Sequence, residues 1–346
     1  MTAVLDPSIR PQRGPGRGRR WQAAAVALTL LAVACAPRVQ DSGPGAQTPE
    51  LTESAFIASA GRALPSRVWR AGRPQAIAVA LHGFNDYSNA FEAPARYWAA
   101  NGITTYAYDQ RGFGATEQRG IWAGERRLTH DLREAVGAIK RRHPDLAVTL
   151  VGESMGGAVI MAAEAEAANG GAERPAADGI VLVAPAVWGR ATMPFLYRAF
   201  LWFGAHVTPW NQVTASGFNI VPSDNIEMLK ALGRDPQVIK ETRIDSVWGL
   251  VNLMDDALAA APAVQTPTLV LYGAKDEIIP KRPTMRMLET MNGARRVAVY
   301  PAGYHMLLRD LQAETVWRDV AAWIRDRHAP LPSQAEVADV RRALAP

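Results

Sequence analysis

The most informative part of the sequence is Val148-Thr149-Leu150-Val151-Gly152-Glu153-Ser154-Met155-Gly156-Gly157. It opens with a short apolar run, which is typical of a buried strand, and a helical pattern begins at its end. Gly-x-Ser-x-Gly between a strand and a helix is the pattern of a nucleophile elbow, a strained turn that exposes its serine at the carboxyl edge of a sheet. Glycines two residues either side of the serine relieve crowding in that turn. Ser154 is therefore the candidate nucleophile.

Strand and helix patterns alternate on both sides of this stretch. Nearly continuous apolar runs such as Ile180–Ala184 suit a parallel sheet that is covered on both faces. The alternation predicts an α/β, doubly wound architecture. The predicted strands lie near Ala55–Ser59, Leu64–Trp69, Ala76–Leu81, Thr104–Tyr108, Val148–Val151, Ile180–Ala184, Thr268–Tyr272 and Arg296–Tyr300. The predicted helices lie over Phe91–Asn101, Leu128–His143, Met155–Ala168, Pro283–Met291 and Ala313–His328.

A serine nucleophile needs a base, and the base needs an acid that orients it. His305 is the strongest of the six histidines, because it follows the last predicted strand and so lies at the same sheet edge as Ser154. Asp276 follows the preceding strand and is the natural acid. Glu277 competes with it, and the Asp255-Asp256 pair is a weaker competitor.

The tetrahedral intermediate of acyl transfer also needs hydrogen-bond donors for its oxyanion. We expect the backbone N–H groups of Met155, which follows the nucleophile, and of Phe84 to supply them. Phe84 lies in His82-Gly83-Phe84-Asn85, directly after a predicted strand, and Gly83 lets the backbone approach closely.

From about residue 187 to residue 262 no strand is predicted and aromatic residues accumulate. We interpret this segment as a mostly helical cap inserted between two strands of the sheet. Its aromatic side chains either form a small core of the cap or line an apolar acyl pocket and touch lipid.

Residues 1–34 are predicted to be a targeting segment. An arginine-rich start is followed by the apolar stretch Ala23–Ala34, whose twelve residues are too few to span a bilayer, where about 20 are needed. Leu31-Ala32-Val33-Ala34-Cys35 resembles a bacterial lipoprotein box, in which the cysteine receives lipid and becomes the N-terminus. Ala32-Val33-Ala34 also fits ordinary signal-peptidase cleavage. Residues 35–53 are polar and rich in Pro and Gly, which predicts a flexible tether.

Charge and composition exclude several classes of protein. Residues 1–34 contain five arginines and one aspartate, so they hold +4 of the formal net charge of +5, and the rest of the chain is close to +1. Nucleic acid is therefore not an expected partner. A chain that is 48% hydrophobic and 21% charged is not wholly disordered, and its single cysteine excludes an internal disulfide. With no cysteine cluster, His-Glu-x-x-His or phosphate-binding glycine loop, no metal or other cofactor is expected.

Five motifs in order resemble one group of the α/β-hydrolase superfamily, which contains monoacylglycerol lipases, lysophospholipases and serine aminopeptidases. The resemblance covers roughly residues 54–328 and implies a mostly parallel eight-stranded sheet with helices on both faces and a helical cap. It implies a triad of Ser154, Asp276 and His305, with Phe84 and Met155 as oxyanion donors. The motifs are His82-Gly83-Phe84, Tyr108-Asp109-Gln110-Arg111-Gly112-Phe113-Gly114, Gly152-Glu153-Ser154-Met155-Gly156-Gly157, Gly273-Ala274-Lys275-Asp276 and Tyr304-His305.

The elbow and the helical insertion look most like monoacylglycerol lipases and lysophospholipases. We therefore expect a serine esterase that cleaves monoacylglycerol or lysophospholipid, anchored through Cys35 to a membrane of a bacterial cell envelope with its catalytic domain outside the cytoplasm. One alternative is a peptidase or acyltransferase with the same triad, and an aminopeptidase would need acids such as Glu227, Asp255 or Asp256 to hold a substrate amine. Another is a catalytically silent binding module of the envelope. Residues 329–346 are expected to be a C-terminal extension.

Overall fold

The computed structural model describes residues 36–214 and 220–344. The predicted targeting segment and Cys35 lie outside these residues. The strands are β1 (Glu50–Leu51), β2 (Ala55–Ile57), β3 (Ala63–Trp69), β4 (Ala76–Leu81), β5 (Ile103–Tyr108), β6 (Ala147–Glu153), β7 (Gly179–Val183), β8 (Gln212–Thr214), β9 (Glu241–Arg243), β10 (Thr268–Gly273) and β11 (Arg295–Tyr300). The helices are α1 (Glu92–Ala100), α2 (Glu125–Arg142), α3 (Met155–Ala168), α4 (Phe195–Val207), α5 (Ile226–Arg234), α6 (Ile244–Ala260), α7 (Lys281–Thr290), α8 (Ala313–Arg325) and α9 (Val340–Ala343).

A large, mostly parallel sheet forms the centre of the molecule. Its nine strands follow the order β1-β2-β3-β5-β4-β6-β7-β10-β11 within the described residues. The strands from β5 to β11 in this order pair in parallel, and the three pairs among β1, β2, β3 and β5 are antiparallel. The eight predicted strands are all present, and the ninth is the two-residue β1, which is too short to leave a pattern in the sequence.

Helices cover both faces of this sheet, as the apolar strands require. In β4, Ile77, Val79 and Leu81 belong to one buried cluster and the three alanines that alternate with them belong to another, because successive side chains point to opposite faces. Buried side chains of α2, α3, α6 and α7 complete the first cluster. Those of α1 and α8, including Trp98 and Trp323, complete the second.

The elbow packs unusually closely on the central strand. A Cβ atom at Gly156, in the first turn of α3, would lie 2.2 Å from the carbonyl oxygen of Leu81 at the end of β4. Because backbone atoms are in the way, no side-chain rotation could relieve that contact. The glycine therefore brings the start of α3 directly against the end of β4.

The inserted segment contains α4, α5, α6 and one feature that the sequence pattern did not predict. Strands β8 and β9 pair antiparallel over three residues, although no strand was predicted in residues 187–262. Helix α6 packs against α3 and contributes to the main core. Helix α4 buries only Gly204 and Ala205 and leaves most of its aromatic side chains exposed.

Residues 36–49, which we call the N-terminal strap, lie along the body instead of extending from it as a flexible tether. Val39 forms a bridge with Trp122, and the backbone N–H of Gln40 donates to the Trp122 carbonyl at 2.9 Å. The Gln40 side chain is buried and donates to the carbonyl of Ile121 at 2.9 Å. Further along, Gln47 N–H donates to the Ser59 carbonyl at 2.7 Å. The polar groups of the strap are thus hydrogen-bonded to the rest of the domain. A sequence pattern of Pro, Gly and polar residues does not predict these bonds.

No helix in the described part of the chain is both long enough and apolar enough to cross a membrane.

Replacing Gly156 by alanine should destabilise the fold by about 2–3 kcal/mol, because the new methyl group collides with backbone atoms. Gly137→Ala in α2 is the matched control: its Cβ would meet only the flexible Arg141 side chain at 3.5 Å, so it should be neutral or slightly stabilising. Urea unfolding followed by circular dichroism measures both variants. Equal stability of the two variants would contradict the close contact between α3 and β4.

Candidate active site

Ser154 occupies the strained turn that the sequence predicts. It lies between β6 and α3 with φ +51° and ψ −112°, a conformation that non-glycine residues rarely adopt. Its N–H donates to the Val183 carbonyl at 2.9 Å, and its carbonyl accepts from the N–H of Ala186 at 3.0 Å. These bonds to the loop after β7 hold the turn in place. The serine therefore stands at the carboxyl edge of the parallel strands.

His305 and Asp276 meet at the same edge. The imidazole Nδ1 lies 2.8 Å from Asp276 Oδ2, and both side chains are buried. The other carboxylate oxygen, Oδ1, accepts from the N–H groups of Ile278 and Ile279 at 2.8 and 2.9 Å. With Nδ1–H donating to the carboxylate, Nε2 is the nitrogen left to act as a base.

The competing acids lie elsewhere. Glu277 is exposed, and its Oε2 accepts from the N–H of Val221 at 2.9 Å. Asp255 pairs with Arg190 in the inserted segment. Among the acids weighed from the sequence, the one that the structure brings to His305 is Asp276.

A glycine brings the two loops of this pair together. A Cβ atom at Gly273, at the end of β10, would lie 2.3 Å from the carbonyl oxygen of Tyr304, the residue before the histidine. The N–H of Lys275 donates to the Gly303 carbonyl at 2.9 Å. The loop that carries Asp276 therefore packs directly on the loop that carries His305.

The pKa of His305 is raised above its ordinary value near 6.5. Burial lowers this pKa, but the charge of Asp276 and its hydrogen bond raise it, and the charge of Glu153 adds to them. The net effect favours the imidazolium that forms when the base accepts a proton.

The loop after β4 lies beside the nucleophile. A Cβ atom at Gly83 would lie 3.5 Å from Ser154 Cβ, so the backbone next to Phe84 passes close to the serine. Met155 is the first residue of α3, where a backbone N–H has no partner within the helix. The structure thus brings both predicted oxyanion donors to the elbow.

His82 orients that loop and does not act as a base. Its Nε2 accepts from the N–H of Gln110 at 2.9 Å, so the proton of the neutral ring is on Nδ1, which lies 2.8 Å from the Gly83 carbonyl. Burial lowers the pKa of His82 and keeps the ring neutral. The Gln110 side chain donates in turn to the His82 carbonyl at 2.9 Å.

Arg309 lies close to the candidate site, and no pattern in the sequence predicts it there. Its guanidinium, on a side chain that is only 10% exposed, donates to Asp86 Oδ2 at 2.7 Å and to Glu153 Oε2 at 3.1 Å. Asp86 lies in the loop after β4, Glu153 precedes the nucleophile, and Arg309 follows His305 by four residues. One cation therefore links the loop after β4, the end of β6 next to Ser154 and the loop that contains His305.

The opposite charges of Arg309, Asp86 and Glu153 stabilise one another against the effect of burial. Burial raises the pKa of Glu153, and the Arg309 charge opposes that shift. Burial lowers the pKa of Arg309, but its two carboxylate partners more than compensate, so the pKa is raised and the cation is retained. Two features of the sequence could have pointed to this cluster: the charged Glu153 inside the elbow and the charged Arg309 shortly after His305. Neither indicates that they meet, because Arg309 and Glu153 are 156 residues apart.

Asp310 links the histidine loop to the inserted segment. Its Oδ2 accepts from the N–H of Tyr304 at 2.8 Å, and its Oδ1 accepts from the hydroxyl of Ser223 at 2.6 Å. Burial raises the pKa of Asp310 to about 6, although both hydrogen bonds lower it.

An apolar cavity of about 570 Å³ opens beside the oxyanion loop. Phe84 and Asn85, in the loop after β4, form one part of its wall. The cap supplies the remainder, including Val213, Leu232, Ile239 and Val247. A second cavity, of about 650 Å³, is lined by Asp86, Arg309 and Trp317 among others. Ser154, Asp276 and His305 line neither of these two cavities.

One group of side chains in the described residues is close enough to hold a metal ion: His130, Asp131 and Glu134 on α2. Both oxygens of Asp131 accept from the Arg111 guanidinium, at 2.6 and 2.8 Å, and Glu134 accepts from the N–H of Ser59 at 2.9 Å. These two carboxylates are therefore hydrogen-bonded to other parts of the fold, and they lie on α2 and not at the elbow.

The sequence model of the family described as serine aminopeptidase, S33 matches residues 72–312. The chain belongs to this family. It is 26% identical over 289 residues to a monoacylglycerol lipase of Mycolicibacterium smegmatis, which covers 79% of this chain and 96% of that protein. It is 24% identical over 277 residues to the monoglyceride lipase of Homo sapiens, with 78% and 89% covered.

Solved structures give the same fold. A soluble variant of monoglyceride lipase from Saccharomyces cerevisiae superposes with a TM-score of 0.66 at 18% identity, covering 85% of this chain and 99% of that one. The Paleococcus ferrophilus monoacylglycerol lipase superposes with a TM-score of 0.61 at 19% identity, covering 76% of this chain and 98% of that one. The predicted α/β-hydrolase fold and the assignment to carboxylic ester hydrolases of this group are confirmed.

The rate of ester cleavage should rise with pH through the raised pKa of His305. The base works only when neutral, so kcat/KM should fall tenfold per pH unit below that pKa. Asp276→Asn removes the charge that raises the pKa, so the midpoint should move down, and activity should fall by about four orders of magnitude. A pH profile with a soluble ester measures both effects. Glu277→Gln is the matched control, and a comparable loss there would contradict the choice of Asp276.

Arg309→Met should destabilise the fold by about 3–5 kcal/mol, because it leaves two carboxylates buried without their cation. Adding Asp86→Asn and Glu153→Gln to this variant should recover part of the loss. Urea unfolding provides the measurement, and Arg318→Met, which breaks an exposed pair with Glu314, should leave the midpoint unchanged. A shift as small for Arg309 as for Arg318 would show that the cluster does not link the loops.

Proposed function

We propose that this hydrolase cleaves monoacylglycerols with Ser154 as nucleophile, His305 as base and Asp276 as the acid that orients the base. The observation that carries the proposal is the bond from His305 Nδ1 to Asp276 Oδ2 at the sheet edge where the strained Ser154 turn is exposed. The family match and the monoacylglycerol lipases among the similar proteins support the substrate class.

The reaction proceeds in two halves. In the first, His305 Nε2 takes the proton of the Ser154 hydroxyl while its oxygen attacks the ester carbonyl carbon, and the carbonyl becomes an oxyanion that accepts from the N–H groups of Phe84 and Met155. The intermediate collapses, the ester C–O bond breaks, and the imidazolium gives its proton to the departing glycerol oxygen. In the second half a water repeats these steps on the acyl-enzyme, releasing the fatty acid and restoring Ser154.

The apolar cavity beside Phe84 suits the acyl chain. It adjoins the oxyanion loop, and its cap wall carries aliphatic side chains from β8, α5 and α6, including Val213, Leu232 and Val247. Transfer of an acyl chain from water into such a cavity lowers its free energy. A peptide would instead bury amide groups there, and these groups need hydrogen-bond partners.

Two of the three acids named for holding the amine of an aminopeptidase substrate pair with other side chains. Asp255 pairs with Arg190, and Glu227 is an exposed residue that pairs with Lys230. Neither of these two, nor Asp256, lines the cavity beside Phe84, where the acid in the wall is Glu241. The acids named for holding an amine are therefore outside this cavity, which favours an ester substrate over a peptide.

We further propose that Cys35 receives lipid after the segment 1–34 is removed, and that the enzyme acts in a bacterial cell envelope outside the cytoplasm. The lipoprotein-like box and the position of the single cysteine support this proposal. An anchored hydrolase would meet its lipid substrate at the surface of the membrane that holds it.

Ser154→Ala should abolish cleavage of monooleoylglycerol and labelling by a fluorophosphonate, because the attacking oxygen is gone. Ser66→Ala, which removes a buried hydroxyl without a hydrogen-bond partner, is the matched control and should keep full activity. The substrate class is tested by comparing kcat/KM for monooleoylglycerol, a lysophospholipid, a short p-nitrophenyl ester and a prolyl anilide. Faster turnover of the anilide, or activity retained by pure Ser154→Ala, would overturn the proposal.

Cells that express the full chain should incorporate an alkyne analogue of palmitate at Cys35. The label should disappear in Cys35→Ala. The experiment is best done with Ser154→Ala in both chains, so that an acyl-enzyme cannot carry the label. A label absent from the chain with Cys35, together with a mature N-terminus at this position, would indicate ordinary signal-peptidase cleavage.

A further inference from the structure

The N-terminal strap bonds to a loop that also reaches the candidate active site. Residues 109–124 join β5 to α2, and we call them the bridging loop. The strap residues Gln40, Asp41 and Ser42 are hydrogen-bonded to this loop. The ring of Phe84, whose N–H is a proposed oxyanion donor, packs on the same loop. The bridging loop therefore connects the strap to the loop after β4.

Gln40 inserts its side chain into the bridging loop and is only 4% exposed. Its Nε2 donates to the carbonyl of Ile121 at 2.9 Å and to that of Gln118 at 3.3 Å. A Cβ atom at Gly112, in the first part of the loop, would lie 3.1 Å from the same nitrogen. One carboxamide thus holds two separate parts of the loop together. Its removal would leave a cavity and would take a donor from both carbonyls.

Both ends of the bridging loop contact the loop after β4. Near its start, the N–H of Gln110 donates to His82 Nε2 and the Gln110 side chain donates to the His82 carbonyl, each at 2.9 Å. Near its end, the ring centroid of Trp122 lies 6.3 Å from that of Phe84. The ring of Phe113, between these two residues in the loop, meets the Phe84 ring edge-to-face at 5.5 Å, a favourable arrangement. Two aromatic residues of the bridging loop therefore place the ring of Phe84.

Trp122 is held by the strap through its backbone and by the inserted segment through its ring. The N–H of Gln40 donates to the Trp122 carbonyl at 2.9 Å, and Val39 forms a bridge with the same residue. A Cβ atom at Gly249 of α6 would lie 2.3 Å from Trp122 Cδ1, so the indole packs directly on that helix. Because the ring has no free space toward α6, a shift of the Trp122 backbone would be transmitted to Phe84.

We infer that the N-terminal strap positions the oxyanion donor of Phe84 and that Gln40 is the positioning residue. Gln40 does not contact the substrate. It fixes the bridging loop, whose rings fix Phe84 and with it the direction of its N–H. A donor must lie within about 3 Å of the oxyanion, and a misplacement of about 1 Å can lower a rate by about 100-fold. This inference rests on the proposed function, since the donor matters only where Ser154 attacks an ester.

The first test replaces Gln40 in the chain from Ala36 onward, which contains every described residue. Gln40→Ala removes the side chain, whereas Gln40→Glu keeps its size and loses the N–H donors. Both variants should lower kcat/KM for a soluble p-nitrophenyl ester by about tenfold or more. Gln47→Ala is the matched control and should keep full activity, because Gln47 is exposed and bonds to the Ser59 carbonyl through its backbone N–H.

Two inhibitors with the same alkyl chain separate positioning from a general loss of structure. With an alkyl trifluoromethyl ketone, the Ser154 oxygen bonds to the carbonyl carbon, the serine proton passes to His305, and the carbonyl oxygen becomes an oxyanion. The matching alkyl glyceryl ether has no carbonyl and measures chain binding alone. In the Gln40 variants, the inhibition constant of the ketone should rise about tenfold, whereas that of the ether should stay within about twofold of the parent value.

A second variant tests the proposed route from the strap to Phe84, and it applies even if Gln40→Ala does not fold. Trp122→Phe should weaken the ketone and spare the ether. Combined with Gln40→Ala, it should cost less than the product of the two single losses, because both act on the position of Phe84. Trp323→Phe is the matched control: this buried residue of α8 packs on Gly179 at the start of β7, away from the elbow. It should lower the urea midpoint and leave both inhibition constants unchanged.

Two results would overturn the inference. One is a ketone inhibition constant that is the same in the parent chain and in both Gln40 variants. The other is equal weakening of the ketone and the ether, which would show that the strap supports the fold as a whole. A parent chain that neither cleaves the ester nor binds the ketone would instead refute the proposed function, and this result is distinct from an active parent that is insensitive to Gln40.

Discussion

A guanidinium group with little exposure to solvent holds the proposed catalytic residues of this molecule together. Parallel strands bring their ends to a common edge, but they do not fix the loops that follow, and these loops contain the residues proposed to react. Arg309 supplies the missing constraint by bonding Asp86 on one side and Glu153 on the other. Neutral hydrogen bonds could position the same loops. With a cation shared by two buried carboxylates, however, displacing one loop would leave a buried charge without its partner, which costs much more free energy.

Much of the sheet and of the catalytic constellation could be predicted because the relevant signals are local. An apolar run predicts a strand, and the glycines around Ser154 predict a turn whose geometry the structure reproduces. His305 and Asp276 follow from their positions after successive strands. The sequence favours Asp276 over the adjacent Glu277, and their contacts in the structure agree, because Asp276 bonds to His305 whereas Glu277 accepts from Val221.

What the sequence could not predict depends on contacts between distant residues. Nothing in the pattern pairs Arg309 with Asp86, which is 223 residues away. The same holds for the strap, where a run of Pro, Gly and polar residues is typical of a flexible tether. Its order comes from hydrogen bonds to carbonyl groups of the loop that ends at Trp122, and these groups are present in every residue and therefore invisible in composition.

The backbone of Ser154 bears on whether this fold still performs chemistry. A positive φ costs a residue with a side chain of order 1–3 kcal/mol, and glycine would adopt the same turn without that cost. A domain kept only to bind a partner would gain stability from a glycine at this position. The chain instead keeps a hydroxyl group where the backbone disfavours one, so the elbow trades stability for reactivity, as expected of a working enzyme and not of a silent relative.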